Sequence, residues 1–365
     1  MANRYWVGGS NVWNTTAGTK WATTSGGAGG AAVPLNTDNV FFNAASGNVS
    51  VESNGSMNCW VLDTRGFVGE LKIRGNLRPH GNVILGSGMR GFDAGNSTTI
   101  GNLVLTSTTN FYPNGIPIGI AIRMTNASAT YTFSSNMKFS SNSGSPSLRI
   151  SAGTININAI TLEFVNAGSL WLGDTLGGTK NINISGTSVL FSYTPDTSST
   201  DGVLFYNGNG MTMNSSGLNV VVNNVVTGCA LDPFDANITV ANGGSLVINS
   251  ANRGTFSNIT VNPGGRIALW DAEVLTVNTL TLQGNANNFV FIESCPTPPS
   301  SNLVTGYVNA VSISGAEWLV SRSVVYSSLI DAPNSLEILS PVSGEFSNLN
   351  ISPPSRVKLS PIKRN

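Results

Sequence analysis

The sequence predicts an all-β chain: a right-handed parallel β-helix, a solenoid built from short stacked coils. Three observations carry that expectation. The segment Ile238-Thr-Val240-Ala-Asn-Gly-Gly-Ser-Leu246-Val-Ile248 recurs 21 residues later as Ile259-Thr-Val261-Asn-Pro-Gly-Gly-Arg-Ile267-Ala-Leu269. Each copy holds apolar residues at i and i+2, turns on glycine and repeats the pair, which is the pattern of one solenoid coil. The same spacing returns in Leu349-Asn-Ile351-Ser-Pro-Pro-Ser-Arg-Val357-Lys-Leu359. Finally, no stretch sustains helical periodicity between caps, so almost no helix is expected.

Residues 1–45 differ from the remainder of the chain. They hold Trp6, Trp13 and Trp21, the glycine-rich Ser25-Gly-Gly-Ala-Gly-Gly30, and Asp38-Asn-Val-Phe-Phe42. An uncovered terminal coil exposes apolar surface and unpaired strand edges, so the three tryptophans are expected to form a capping and attachment module. Residues 46–295 read as the β-helix body. Short strands recur at Val49/Val51, Cys59–Leu62, Leu71/Ile73, Val83–Leu85 and Leu103/Leu105, at spacings that suggest two strands per coil. Phe111-Tyr112-Pro113-Asn-Gly115 reads as an excursion. Apolar pairs resume from Leu148/Ile150 to Ile182/Ile184, and the Thr/Ser/Gly-rich 194–217 reads as a loop before the clear repeats. Glycine and asparagine suit the left-handed corners, and stacked asparagines are expected as an internal ladder there. Cys295-Pro-Thr-Pro-Pro299 breaks the body, because proline removes ladder donors. Residues 296–365 read as final coils or a small β module, ending in a basic tail with Arg356, Lys358, Lys363 and Arg364.

Composition excludes several functions. The chain of 365 residues can bury a sizeable core, and a solenoid of that length can be one unit because each coil meets only its neighbours. Charged residues make up 10%, against about 25% in typical domains, and 18 basic residues balance 18 acidic ones. That balance argues against nucleic acid, whose partners carry a basic stripe. No apolar run reaches the length of a membrane span, so no membrane insertion is expected. Cys59, Cys229 and Cys295 form neither a disulfide framework nor a zinc pattern, and no metal or cofactor is expected. Solubility rests on amides and hydroxyls. With no visible secretory signal, this suggests a protein made in a cytoplasm and carried on a particle.

Candidate chemistry is sparse. His80 is the single histidine, it reads as a turn residue, and no nucleophile elbow accompanies it. A polysaccharide depolymerase would need paired carboxylates on one face. Asp271 and Glu273 beside Trp270 are the catalytic candidates, because i, i+2 residues of a strand share a side. Asp232, Asp235, Glu163, Asp174, Asp196 and Asp201 read as solvated turn or loop acids. Glycan binding without cleavage is the other option, with Trp270 and Tyr206 as candidates and Trp171 and Tyr193 behind them.

The opening Tyr5-Trp6-Val7-Gly8-Gly9, with Trp13, Trp21, Ser25–Gly30, Val33-Pro34 and Asp38–Phe42, resembles the start of many bacteriophage virion structural proteins. A similar segment occurs in some bacterial surface β-helix proteins. The resemblance covers about 45 residues and brings no catalytic residue with it. It implies a non-enzymatic homotrimer on the virion, contacting baseplate, tail or capsid proteins and a host surface glycan. A tail fibre or spike is the leading expectation, a capsid decoration protein the alternative, and a depolymerase spike the third.

Overall fold

This computed structural model describes residues 1–13, 16, 18–95, 101–140, 147–165, 168–173, 178–192, 202–230, 234–248, 254–269, 275–283, 290–294, 307–308, 311–313, 318–319 and 337–338. Among these residues the structure is strand and turn throughout, with one short 3-10 turn at Ala44–Ser46. The strands form parallel sheets stacked coil upon coil, as a β-helix requires. Two compact units are present: one spans Met1–Thr187 with Gly210–Asn214, the other Ser188–Asn209 with Ser215–Asn365.

The first unit has three strands per coil. A typical coil runs through Glu70–Ile73 in one sheet, Asn76–Pro79 in a second and Val83–Ile84 in a third. We call these the flank, site and amide sheets for the chemistry each turns outward. Inward residues stack in columns. Val51, Leu71, Phe92, Ile118, Phe139 and Phe164 are in register along the flank sheet. Met57, Leu77, Leu103, Ile122, Leu148 and Leu170 do the same along the site sheet. Val40, Leu62, Val83, Phe111 and Phe133 line the amide sheet. All are buried. Each contributes about 1.5–3 kcal/mol relative to exposure. Phe139 and Phe164 lie flat on one another, with ring centroids 4.7 Å apart.

The second unit has two strands per coil. Phe234–Val240, Gly254–Val261 and Leu275–Leu282 are long strands of one sheet. Ser245–Ile248, Arg266–Leu269 and Val290–Ser294 form the other. The repeat seen in the sequence is a true coil: Ile238 stands over Ile259 and Val240 over Val261, while Leu246 stands over Ile267 and Ile248 over Leu269. A register irregularity between Phe234 and Asn237 lets one long strand turn without a separate third strand. The first glycine of each pair, Gly243 and Gly264, has φ of 76° and 79°, which the turn demands. The second is needed for space, since a methyl on Gly244 would collide with the Val222 carbonyl.

The N-terminal segment begins the first unit's ladder. Asn3–Trp6 pairs parallel with Asn39–Phe41 and antiparallel with Trp21–Ala22. Asn11–Trp13 pairs parallel with Ser50–Ser53. Trp6, Trp13 and Trp21 are at most 1% exposed. Trp21 meets Trp6 and Trp13 edge to face at 5.0 and 5.3 Å, a favoured aromatic geometry, and Phe42 and Phe67 continue the cluster. The Trp6 ring N–H donates to the Gly9 carbonyl at 2.9 Å, so its polar edge is satisfied.

Four expectations change. The 194–217 segment is not a single loop, because Gly202–Tyr206 and Met211–Asn214 within it are strands. Coils of the first unit carry three strands, because their corners are too tight to be read as breaks between apolar pairs. Cys59–Leu62 is a corner: Ser56–Cys59 ends, the chain turns at Trp60, and Leu62–Asp63 starts the next sheet. Phe111 belongs to a regular strand, Thr109–Tyr112, with the turn falling at Asn114 and Gly115. The stacked asparagines are real but lie outside the core. Asn102 donates to Asn76 at 3.0 Å, Asn214 to Asn183 at 3.3 Å and Asn258 to Asn237 at 3.0 Å, all on outward positions. The Leu349–Leu359 repeat lies outside the described residues.

Val261 is fully buried between Val240 and Leu282, so Val261→Asp places an uncompensated charge in a dry column. The expected outcome is insoluble or unfolded protein, read by circular dichroism and size exclusion. A soluble, folded Val261→Asp contradicts the register. Gly244→Ala is expected to lower the melting temperature, whereas an alanine at the exposed Asn242 beside it is expected to do little.

Candidate functional site

The candidates named from sequence fall in different places. Asp271, Glu273 and Trp270 lie outside the described residues, as do Asp232, Asp174, Asp196, Asp201 and Tyr193. Tyr206 is 8% exposed, with its ring 4.9 Å from that of Phe234, which leaves little of it for a sugar. Trp6, Trp13 and Trp21 are enclosed by each other and offer no open ring face. Asp235 is exposed on Phe234–Val240. Glu163 pairs with Lys138 at 3.3 Å. Among the described residues no group of His, Cys, Asp and Glu is arranged to hold a metal ion.

The outward faces of the first unit differ in chemistry. The amide sheet displays amides and hydroxyls: Thr132, Asn156, Asn183 and Asn214 stack in one row, Thr130, Thr154, Asn181 and Thr212 in the next. The flank sheet carries compensated charge. Lys72 meets Glu70 at 2.9 Å, Arg74 meets Glu52 at 3.0 Å, and Lys138 meets Glu163. The hydrogen bond from Lys72 holds the Glu70 carboxyl below its usual range; burial opposes this, and Ser50 and Arg90 assist. A carboxyl with a lowered folded value stabilises the fold above its unfolded value. That contribution is lost as pH falls through the lowered range.

The site sheet turns arginines outward. Along it, Asn58 pairs with Arg78, Val104 with Arg123, Arg123 with Arg149, and Arg149 with Trp171. Because Leu103 pairs with Leu77, Val104 follows Arg78 in the same row. Inward neighbours of this row are buried and the row itself is half-buried, as strand alternation requires. Ser56–Cys59, Asn76–Pro79, Asn102–Leu105, Ala121–Met124, Ser147–Ile150 and Ser169–Leu172 contain no acidic residue. Among the described residues no carboxylate pairs with Arg78 or Arg123. Arg149 lies over the Trp171 ring at 4.8 Å, and its Nε donates to Ser147 at 3.2 Å, so the guanidinium is held from two sides.

One end of the row lies in a groove of about 700 Å³. Its wall is the loop carrying Val33, Pro34, Leu35 and Asn36, and its floor includes Arg78 and His80. Leu35 is 63% exposed at the rim. Asp38 anchors the loop by accepting from the Leu35 and Ala2 backbone N–H groups at 3.2 and 3.0 Å, with Arg4 3.6 Å away. His80 Nδ1 lies 3.3 Å from the Thr106 hydroxyl, one coil on. Among the described hydrogen bonds this histidine has no carboxylate partner.

No protein-family model matches this chain, and no curated protein or solved structure matches it.

Cys59 is fully buried under the site sheet, and burial pushes its thiol well above the usual range. It is expected not to react with a thiol reagent in the native protein and to react fully after denaturation. Fast native labelling of Cys59, located by peptide mapping, contradicts the core described here. Trp21→Ala is expected to cost about 3–5 kcal/mol, read by chemical denaturation, because it opens a cavity among three aromatic rings.

Proposed function

We propose that this chain is a non-enzymatic bacteriophage virion structural protein. In this reading it is a homotrimeric β-helical tail fibre or spike that binds the host surface. Support comes from the separation of duties between its two sets of residues. Inward columns are mostly apolar, and the outward rows of the amide sheet repeat amides and hydroxyls coil after coil. That arrangement suits a stiff scaffold whose product is a surface. The tryptophan-rich start, which resembles that of phage virion proteins, points the same way. Scarcity of charge suits tight subunit packing, since charged residues are depleted from interface cores.

The test is immunogold electron microscopy, using an antibody to this chain on particles purified from the lysate that contains it. Label at the tail tip or baseplate is expected. Label spread over the head replaces the fibre with a capsid decoration protein. Particles without label overturn the virion assignment. Analytical ultracentrifugation of the purified chain is expected to give a trimer mass, and a monomer at micromolar concentration removes the trimer.

A further inference from the structure

We propose that the outward face of the site sheet binds a linear anionic glycan, a chain of carboxylated sugars laid along Arg78, Val104, Arg123, Arg149 and Trp171. This rests on the host-surface reading and deepens it by naming the class of ligand and the residues that take it.

The first argument is electrostatic. A chain with 18 basic and 18 acidic residues has no overall attraction for anions. Charge is nevertheless sorted by face. The flank sheet meets cation with carboxylate, while on the site sheet Arg78 and Arg123 have no carboxylate partner among the described residues. The second argument is chemical. Guanidinium is planar and delivers paired N–H donors, which match a carboxylate better than an ammonium does. Arg123 is half-buried on the outward side of its strand, between the buried Ile122 and Met124.

The third argument is periodicity. Parallel strands lie about 4.8 Å apart, so residues paired in register form a ladder of regular rungs. Arg123 and Arg149 are adjacent rungs, and Arg78 is one rung beyond Val104. A polymer lying across the strands meets one side chain of this row at each coil. The neighbouring row, with the half-buried Asn76 and Asn102, supplies amides for sugar hydroxyls. Trp171 supplies an aromatic surface at the end of the row, already oriented by Arg149. Nucleic acid fits less well. Typical binders neutralise about 6–10 phosphates, and three arginines provide at most about half of that.

The test uses the full chain and polygalacturonate as the probe, with neutral dextran and duplex DNA as comparisons, read by titration calorimetry. Polygalacturonate is expected to bind with an affinity that falls as salt rises, and dextran is expected not to bind. Arg123→Gln with Arg149→Gln is expected to weaken binding at least about tenfold, since each lost charged hydrogen bond is large. Its circular dichroism and melting temperature should stay near those of the parent. Trp171→Ala is expected to weaken binding without changing the salt dependence. Should the double variant misfold, Arg123→Lys decides, because it keeps the charge and loses the fork; it is expected to weaken binding several-fold. Any of three results overturns the proposal: no binding of polygalacturonate, binding unchanged in the folded arginine variants, or tighter binding of DNA than of polygalacturonate. The two proposals fail separately. Unlabelled particles with intact polygalacturonate binding remove the virion reading alone, and labelled particles without that binding remove the glycan site alone.

Discussion

Register between coils is the constraint on which the rest of this structure depends. A strand turns alternate residues to opposite sides, so a slip of one residue exchanges core for surface along the whole strand. Each coil must therefore present its apolar residues directly over those of the coil before. The molecule keeps this condition while coil length varies. Register partners in successive parallel coils of the first unit lie from 19 to 40 residues apart, yet the columns stay aligned. The variation is taken up at corners, where no inward residue is displaced. Satisfied ladders and filled columns thus depend on one another, and a charge in a column such as that of Val261 disturbs both.

The inward half of the fold is largely legible in the sequence. Apolar residues at i and i+2 mark strands wherever the chain keeps to Ile, Val and Leu, and the 238–269 repeat can be aligned by eye because its coils are equal in length. Legibility falls where aromatics replace aliphatics, as at Phe111, and where corners are so short that two strands merge, as at Cys59–Leu62. Three strands per coil are hidden for the same reason: a corner built from one exposed residue, such as Trp60, looks like the middle of a strand.

The candidate site is almost wholly hidden. Arg78, Arg123 and Arg149 do not stand out in the linear sequence, separated by unequal stretches and embedded in ordinary alternation. They become a row only once register is known, because unequal coils place them on one line. Signals that do stand out in the sequence belong to other jobs. The tryptophans near the start are conspicuous, yet they pack against each other. His80 has the sequence neighbours of a turn residue, and it lies on the floor of a groove whose wall comes from residues 33–36. Recognition chemistry on a solenoid is a property of a face, and a face is assembled from residues that no motif spacing connects.

The antiparallel pairing of Trp21–Ala22 with Asn3–Trp6 carries a consequence of another kind. Every other described pairing in the amide sheet runs parallel, so an incoming chain extending that ladder would need to match the common direction. It meets instead a two-residue strand of reversed direction, followed by glycine-rich chain. Reversal removes the template at that edge. A solenoid is a crystal in one dimension, and here its first row is short, reversed and already bonded through the Trp21 carbonyl to the Ala31 N–H, which disfavours growth at that edge.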